Sequence, residues 1–266
     1  MSKRIQSPSS INVYKRCPRR YYYQYIVGLP TKDSIYSVKG KLVHTILEKF
    51  FDIDIKHFSE ENYKKELLYY MKNLFNACWL KSLENFENVG AKEKDLIEAR
   101  QEIAEMLANW LQVFFEKIEK EGSFKEAFNK LKPVEREKEY VSQNYLVKGF
   151  IDVIENINGE IKIIDYKTSK DFELTPEYKL QLAIYALLYK EKHNRLPDKI
   201  GIWFLRDKEV TIDLDEGMID DAIKQIKEIH FKTESDNIED YPKNVTRLCK
   251  WNGGQCDFYN ECFKRH

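Results

Sequence analysis

Two aspartates and a lysine fall within one short stretch, Gly149 to Lys167, which reads GFIDVIENINGEIKIIDYK. Asp152 lies near the end of one expected strand. A hairpin-type turn follows at Asn156-Ile157-Asn158-Gly159, and Asp165-Tyr166-Lys167 closes the returning strand. Cleaving a phosphodiester takes an activated water, a neutralised phosphate and a stabilised leaving oxygen, and a divalent metal supplies all three. Mg²⁺ and Mn²⁺ favour hard oxygen ligands. Asp152 and Asp165 are therefore suitable metal ligands, and the Tyr166 backbone carbonyl offers a third oxygen. Lys167, two residues beyond Asp165 on the same strand face, is placed to orient the attacking water or steady the phosphate. The competing reading is an ordinary hairpin with charged ends, since a D-x-K triplet arises readily in a chain with 33% charged residues. Ile161, Ile163 and Ile164 favour the chemical reading, because they predict a buried strand that releases Asp165 and Lys167 at its end. So do Gln181 and Tyr185, which fall at i and i+4 on one face of the next expected helix.

The elements around this hairpin follow from punctuation and period. Ser7-Pro8-Ser9-Ser10 starts a short helix that Cys17-Pro18 interrupts. An aromatic-rich turn or helix runs from Arg19 to Tyr25, Gly28-Leu29-Pro30 ends it, and a further helix is expected over Tyr36 to Asp52. Leu67, Met71, Leu74 and Cys78 recur at helical spacing, as do Ile103, Leu107, Trp110, Phe114 and Ile118, with Asn88-Val89-Gly90 between them. This pair reads as a helical insertion over about 56–130, serving as scaffold or as a wall beside a substrate channel. From Pro133 the residues favour strands. Thr175-Pro176 starts a helix with an apolar stripe at Leu180, Ile184, Leu187 and Leu188. Lys199–Leu205 and Val210–Leu214 pair across Arg206-Asp207-Lys208-Glu209, and a helix from Asp215 to about His230 follows.

The 266 residues carry 44 Lys and Arg against 44 Asp and Glu, so any affinity for a polyanion must come from local patches. No apolar run approaches the ~20 residues that span a bilayer, and MSKRIQSPSSINVYKRC lacks the apolar segment of a secretory signal. A cytoplasmic protein without membrane contact is expected. In that compartment five cysteines call for something other than a disulfide framework. Cys249, Cys256 and Cys262 fall as C-x6-C-x5-C in the tail, which suggests a zinc or iron–sulfur site, zinc being the simpler choice on chemistry alone. Cys78 sits on an apolar helical stripe and reads as a small core residue.

Five segments, in order, resemble the PD-(D/E)xK nucleases, in particular their RecB-type exonuclease branch. Ser9 to Tyr21 is similar to the family's N-terminal S…Y..CP signature. Gly40-Lys-Leu-Val-His44-Thr-Ile-Leu-Glu48 matches its G-x3-H-x3-E segment, and Gly149-Phe-Ile-Asp152 its G-x-x-D strand. Asp165-Tyr166-Lys167-Thr168 has the D-Y-K-T form of the catalytic motif, and Gln181-x3-Tyr185 matches Q-x3-Y.

The resemblance implies a single α/β nuclease domain over 1–266, with a restriction-endonuclease-like central mixed sheet flanked by helices and a core over about 131–232. His44, Asp152 and Asp165, with the Tyr166 carbonyl, would hold Mg²⁺ or Mn²⁺. Lys167 would assist the water, and Gln181 and Tyr185 would contact DNA or brace the site. One of Glu135, Glu137 and Glu139 is a candidate supporting acid, against the simpler reading of a polar strand face.

The family's iron–sulfur members join one N-terminal cysteine to three C-terminal ones. That implies a 4Fe–4S cluster on Cys17, Cys249, Cys256 and Cys262, joining the N-terminal segment to the 241–266 tail, with Zn²⁺ the alternative. The spacing Cys249 to Cys256 is longer than the family's usual C-x2-C. Such a cluster would gather Lys15, Arg16, Arg19, Arg20, Arg247, Lys250, Lys264 and Arg265 into a basic patch, with Tyr21, Tyr22, Tyr23 and Tyr25 near enough to stack on bases. The function implied is a metal-dependent DNA exonuclease working on single-stranded ends. Repair, recombination, phage or CRISPR DNA processing are possible settings, with a helicase or other recombination or replication protein as partner. The alternatives are a structure-specific or restriction-type endonuclease and a non-catalytic DNA-binding subunit.

Overall fold

Asn158 and Gly159 take φ of 56° and 90°, the paired positive values of a type I′ turn, whose twist matches that of the flanking strands. This turn joins β2 (Val147–Ile157) to β3 (Glu160–Lys167) as an antiparallel hairpin. β1 (Glu135–Ser142) lies antiparallel on the outer side of β2. Thr175 caps the helix that follows β3, and Pro176 occupies its first turn. That helix returns the chain to β4 (Lys199–Phe204), which pairs parallel to β3. β5 (Glu209–Asp213) closes the sheet, giving the order β1-β2-β3-β4-β5. The result is a mixed sheet, described here from a computed structural model covering residues 4–252 and 254–263.

Helices cover both faces. The helices in chain order are α1 (Pro8–Arg16), α2 (Pro18–Tyr21), α3 (Ile35–Phe50), α4 (Tyr63–Asn88), α5 (Glu93–Glu119), α6 (Phe124–Leu131), α7 (Pro176–His193), α8 (Glu216–Lys232) and α9 (Tyr259–Phe263). A π-helical segment, Tyr22–Ile26, continues α2. Strands β6 (Lys250–Trp251) and β7 (Gly254–Gln255) form a separate two-stranded ribbon. One core packs α3, α4, α5 and α6 on Val153, Ile164, Tyr166 and Trp203. The other packs α1, α7 and α8 on Ile151, Ile154, Ile163, Ile200 and Ile202. Ile163 and Ile164 thus point into opposite cores, as the two-residue period of a strand requires.

The ladder between β2 and β3 stops at Val153 and Ile164. Beyond it β2 stays with β1 while β3 stays with β4. The chain opens a gap between two neighbouring strands, and it opens at Asp152 and Asp165.

Candidate active site

Asp152 stands on β2 just past the last paired residue. Its Oδ2 accepts the Tyr166 backbone N–H at 2.7 Å, in place of a ladder carbonyl. Asp165 is on β3 and, like Asp152, is buried. Its Oδ1 accepts from Gln181 Nε2 at 2.9 Å, and Lys167 Nζ lies 2.8 Å from its Oδ2. That ion pair is off the hydrogen-bond direction, so Oδ2 is buried without a hydrogen-bond donor. Lys167 Nζ also donates to Gln181 Oε1 at 3.0 Å.

Gln181 therefore holds both the carboxylate and the ammonium. Its own amide is fixed by Tyr185, whose hydroxyl accepts from Gln181 Nε2 at 2.7 Å. Tyr185 is only 5% exposed, so it braces the site from behind and presents no surface to a substrate. Gly149 makes that position available. A Cβ there would lie 2.7 Å from the Tyr185 ring, closer than packed carbons approach. The glycine of G-x-x-D thus clears the space from which Tyr185 supports the following motif.

His44 reaches the gap from α3, on the opposite side of the sheet from α7. Its Nδ1 lies 3.0 Å from Glu137 Oε1 and 3.4 Å from Asp152 Oδ1, and its Nε2 lies 3.1 Å from the Tyr166 carbonyl. His44, Glu137 and Asp152 bring one ligand atom each to within 4.8 Å of one another. Burial works against a charged imidazole, but the two carboxylates outweigh it and push its pKa up to about 10. Burial and the neighbouring Asp165 push Asp152 up to about 6, with His44 pulling the other way.

Glu137 is the residue that the alternation of acids on β1 left unresolved. Glu135 turns to Lys192 on α7, whereas Glu137 turns to His44 on α3. In a regular strand residues two apart share a face. Glu137 escapes that rule with φ of +44°, a conformation that costs a non-glycine residue energy and tends to persist where surrounding contacts enforce it.

A family model of the PD-(D/E)XK nuclease superfamily matches residues 6–263. The chain belongs to the PD-(D/E)XK nuclease superfamily. It is 28% identical over 124 residues to the CRISPR-associated exonuclease Cas4 of Francisella tularensis subsp. novicida, a match spanning 47% of this chain and 60% of that relative. It is 22% identical over 229 residues to the Gene 69 protein of Mycobacterium phage L5, covering 77% of each. A crystal structure from Eubacterium rectale, provisionally named an exonuclease, superposes with a TM-score of 0.50 at 12% identity, over 93% of this chain and 86% of that one. The family model and the likeness to the Cas4 exonuclease support the RecB-type branch, and the superposition supports the fold.

A second constellation in this PD-(D/E)XK chain lies at the far end of α1. Cys17, Cys249, Cys256 and Cys262 line one small cavity with Arg20, Lys243, Asn244, Val245, Phe258, Tyr259 and Phe263. All four are free thiols. Burial, and to a lesser degree the neighbouring Cys17 and Cys256, raise Cys262 to about 11, against the pull of Lys243. Cys78 is a buried core residue of α4.

The basic patch is thinner than the sequence suggests. Arg19 is buried, and its Nε donates to the Tyr241 carbonyl at 2.7 Å. Arg20 is tied to Asp257 at 3.5 Å. Lys264 and Arg265 lie outside the described residues. The tyrosines mostly pack: Tyr21 and Tyr23 are buried, and Tyr21 stacks on Tyr241 with ring centres 6.2 Å apart.

Among the described residues no helix is long and apolar enough to cross a membrane.

Proposed function

We infer that this chain is a Mg²⁺- or Mn²⁺-dependent DNA exonuclease acting on single-stranded ends. The observation that carries the reading is the single bonded unit formed by Asp165, Lys167, Gln181 and Tyr185, set against Asp152 and His44 across the opened strand gap.

The donor set fits a hard divalent cation. Three carboxylates (Glu137, Asp152, Asp165), one imidazole and the Tyr166 carbonyl supply oxygen and nitrogen and no sulfur. With His44 and Lys167 charged, three carboxylates face two cations, which leaves one surplus negative charge. With His44 neutral and Lys167 charged, the three carboxylates would hold a divalent ion at net zero charge. The buried Asp165 Oδ2 that lacks a hydrogen-bond donor is a further vacant acceptor. When bound, the ion supplies Lewis acidity to the phosphate and lowers the pKa of water.

The chain's own groups do the positioning. Lys167 is partly buried, which disfavours its charge, but Asp165 more than compensates and its pKa is raised. It acts as a cation. One of its donor protons goes to Gln181, Asp165 Oδ2 lies 2.8 Å away as its ion-pair partner, and the remaining protons are left for a phosphate oxygen or the attacking water. Gln181 and Tyr185 keep Asp165 and Lys167 at fixed separation, so the reacting groups pay little reorganisation when substrate arrives.

For the thiol cavity, the reading is a 4Fe–4S cluster on Cys17, Cys249, Cys256 and Cys262. What supports it is the gathering of four unpaired thiols from both ends of the chain, a soft donor set that suits iron–sulfur or zinc. Single-stranded DNA processed in repair, recombination or phage or CRISPR pathways is the proposed setting, with an unwinding partner supplying the strand.

Anaerobically purified protein is assayed with Mn²⁺ on end-labelled single strands and on covalently closed circles, with iron and zinc measured alongside. Degradation of the linear strands with circles left intact is the expected result. Nicked or linearised circles mean an endonuclease. DNA binding without cleavage means a non-catalytic subunit. A colourless, zinc-loaded protein replaces the cluster while leaving the nuclease reading standing.

A further inference from the structure

Outside the metal site, one cluster of charges is strongly unbalanced. Glu102 of α5 is a buried carboxylate that receives three cations from three other parts of the chain. Lys39 of α3 bonds its Oε2, Arg206 after β4 lies 2.9 Å from the same oxygen, and Lys170 after β3 lies 3.1 Å from Oε1. Lys39 and Arg206 are largely buried with side chains 8% and 16% exposed, while Lys170 is 68% exposed. Among the described residues Glu102 is the carboxylate these three share, so two positive charges are left over in a partly desolvated place. Such an excess is costly unless an anion completes it.

The cluster adjoins the chemistry. Arg206 Nε donates to the Thr168 carbonyl at 3.2 Å, and Thr168 follows Lys167 directly. Gly40 of α3 lies beside Thr168, where a Cβ would stand 3.7 Å from its hydroxyl. Tyr36, Gly40 and His44 succeed one another at i, i+4 and i+8, so they share one face of α3. At 1.5 Å per residue, Tyr36 lies about 12 Å along the helix from His44. Tyr36 is 75% exposed, and Lys39 Nζ sits 5.0 Å from its ring centre. An exposed aromatic ring beside surplus cations is what an unpaired nucleotide needs, the ring for the base and the cations for its phosphate.

We propose that this face of α3 is a docking track for the substrate strand. Lys39, Lys170 and Arg206, gathered on Glu102, hold a phosphate, and Tyr36 stacks a base about two nucleotides from the metal site. Glu102 belongs to the helical region between α3 and β1, so that region contributes to substrate binding as well as to the core.

The inference rests on the nuclease reading, and its test separates the two. A fluorescein-labelled dT12 strand is titrated in EDTA by anisotropy over a series of salt concentrations, and its cleavage and KM are measured with Mn²⁺ alongside. Tyr36→Ala is expected to weaken binding about tenfold with the salt dependence unchanged, and Tyr36→Phe to restore it. Lys170→Ala is expected to weaken binding and lower the log–log salt slope by about 0.7, the value for one phosphate contact on a single strand. Lys199→Ala, which removes an equal charge at the opposite end of the sheet, is the control and should bind as wild type. If wild type cleaves dT12 while Tyr36→Ala and Lys170→Ala match it in Kd, salt slope and KM, the docking track is wrong and the nuclease stands. If wild type neither cleaves nor binds, both fall.

Discussion

The two candidate metal-ligand constellations are built in opposite ways. The carboxylate site sits between two hydrophobic cores, on strands and helices that those cores hold in place. Every candidate ligand in it already has a protein partner: His44 bonds Glu137, Asp152 caps Tyr166, and Asp165 is held by Gln181. Three thiols of the other site flank a ribbon of two-residue strands or sit on a five-residue helix, while Cys17 lies on the body between α1 and α2. The tail's internal supports are a few backbone bonds, such as Cys256 N–H to the Cys249 carbonyl at 3.0 Å. It is anchored to the body by buried Phe258 and by the Tyr23 hydroxyl donating to the Glu261 carbonyl at 2.9 Å. The first site is organised by the fold before any ion arrives. The second has fewer supports of its own, and on the proposed cluster reading a bound metal would add to them, as in small metal-held elements.

The sharpest way to break this contrast is to remove chemistry from the preformed site. Asp165→Ala and Lys167→Ala are each expected to lower Mn²⁺-dependent turnover by at least about a thousandfold. Neither should shift the thermal midpoint much, because both cores remain intact. Near-wild-type turnover from either variant would remove these residues from the mechanism. A large loss of stability would instead mean that the site helps hold the fold.

The reciprocal experiment removes one thiol. Cys256→Ser is expected to abolish the tail's metal content and to open residues 241–263 to limited proteolysis. The carboxylate site should keep its Mn²⁺ affinity, since none of the bonds that define it runs through the tail. A protease-resistant, metal-free Cys256→Ser variant would show that Phe258 and Tyr23 suffice to fix the tail, and the contrast would fail.

What the sequence revealed follows the same division. Asp152, Asp165 and Lys167 were legible because a hairpin is a local object with a two-residue period, and Gln181 with Tyr185 because a helix face is one too. Glu137 was not singled out. Alternation places Glu135, Glu137 and Glu139 on one face, and only the positive φ at Glu137 sends it alone toward His44. Arg19 reads as a surface cation, yet it is buried because the Tyr241 carbonyl takes its Nε–H. The Glu102 cluster joins residues far apart in the chain, and no local spacing signals it. Long-range charge partners are what a pattern of periods and caps cannot show.

Glu137 gives the next and smaller test. Glu137→Gln keeps the size of the side chain and removes one of three carboxylates. Mn²⁺ affinity, measured by calorimetry, is expected to fall roughly 10- to 100-fold, the range seen when a partner of a metal-ligating histidine is lost. The fold should survive, and relief of strain at this position is tested separately by Glu137→Gly. Unchanged Mn²⁺ affinity in Glu137→Gln would reduce Glu137 to a surface acid.

The smallest effect expected concerns the acid limb of stability, and it reads the Glu102 cluster directly. Burial pushes the Glu102 carboxyl up, but Lys39, Lys170 and Arg206 overcome it and hold the pKa at about 2. In the unfolded chain a glutamate titrates near 4.3. A carboxyl whose folded pKa is depressed contributes its stability fully above the unfolded value and loses it as the pH falls through the folded one. Wild type and Glu102→Gln should therefore differ most at pH 5 and above, where the variant leaves three cations without their carboxylate. A deficit of about 2 kcal/mol is expected there, which for a chain of this size lowers the thermal midpoint by roughly 5 °C. As the pH falls from about 4.5 toward 2 the two melting curves should converge, because wild type loses by protonation what the variant lost by substitution. A gap that stays constant over that range would mean that Glu102 contributes through packing alone. The charge excess on which the docking track depends would then have no basis at Glu102.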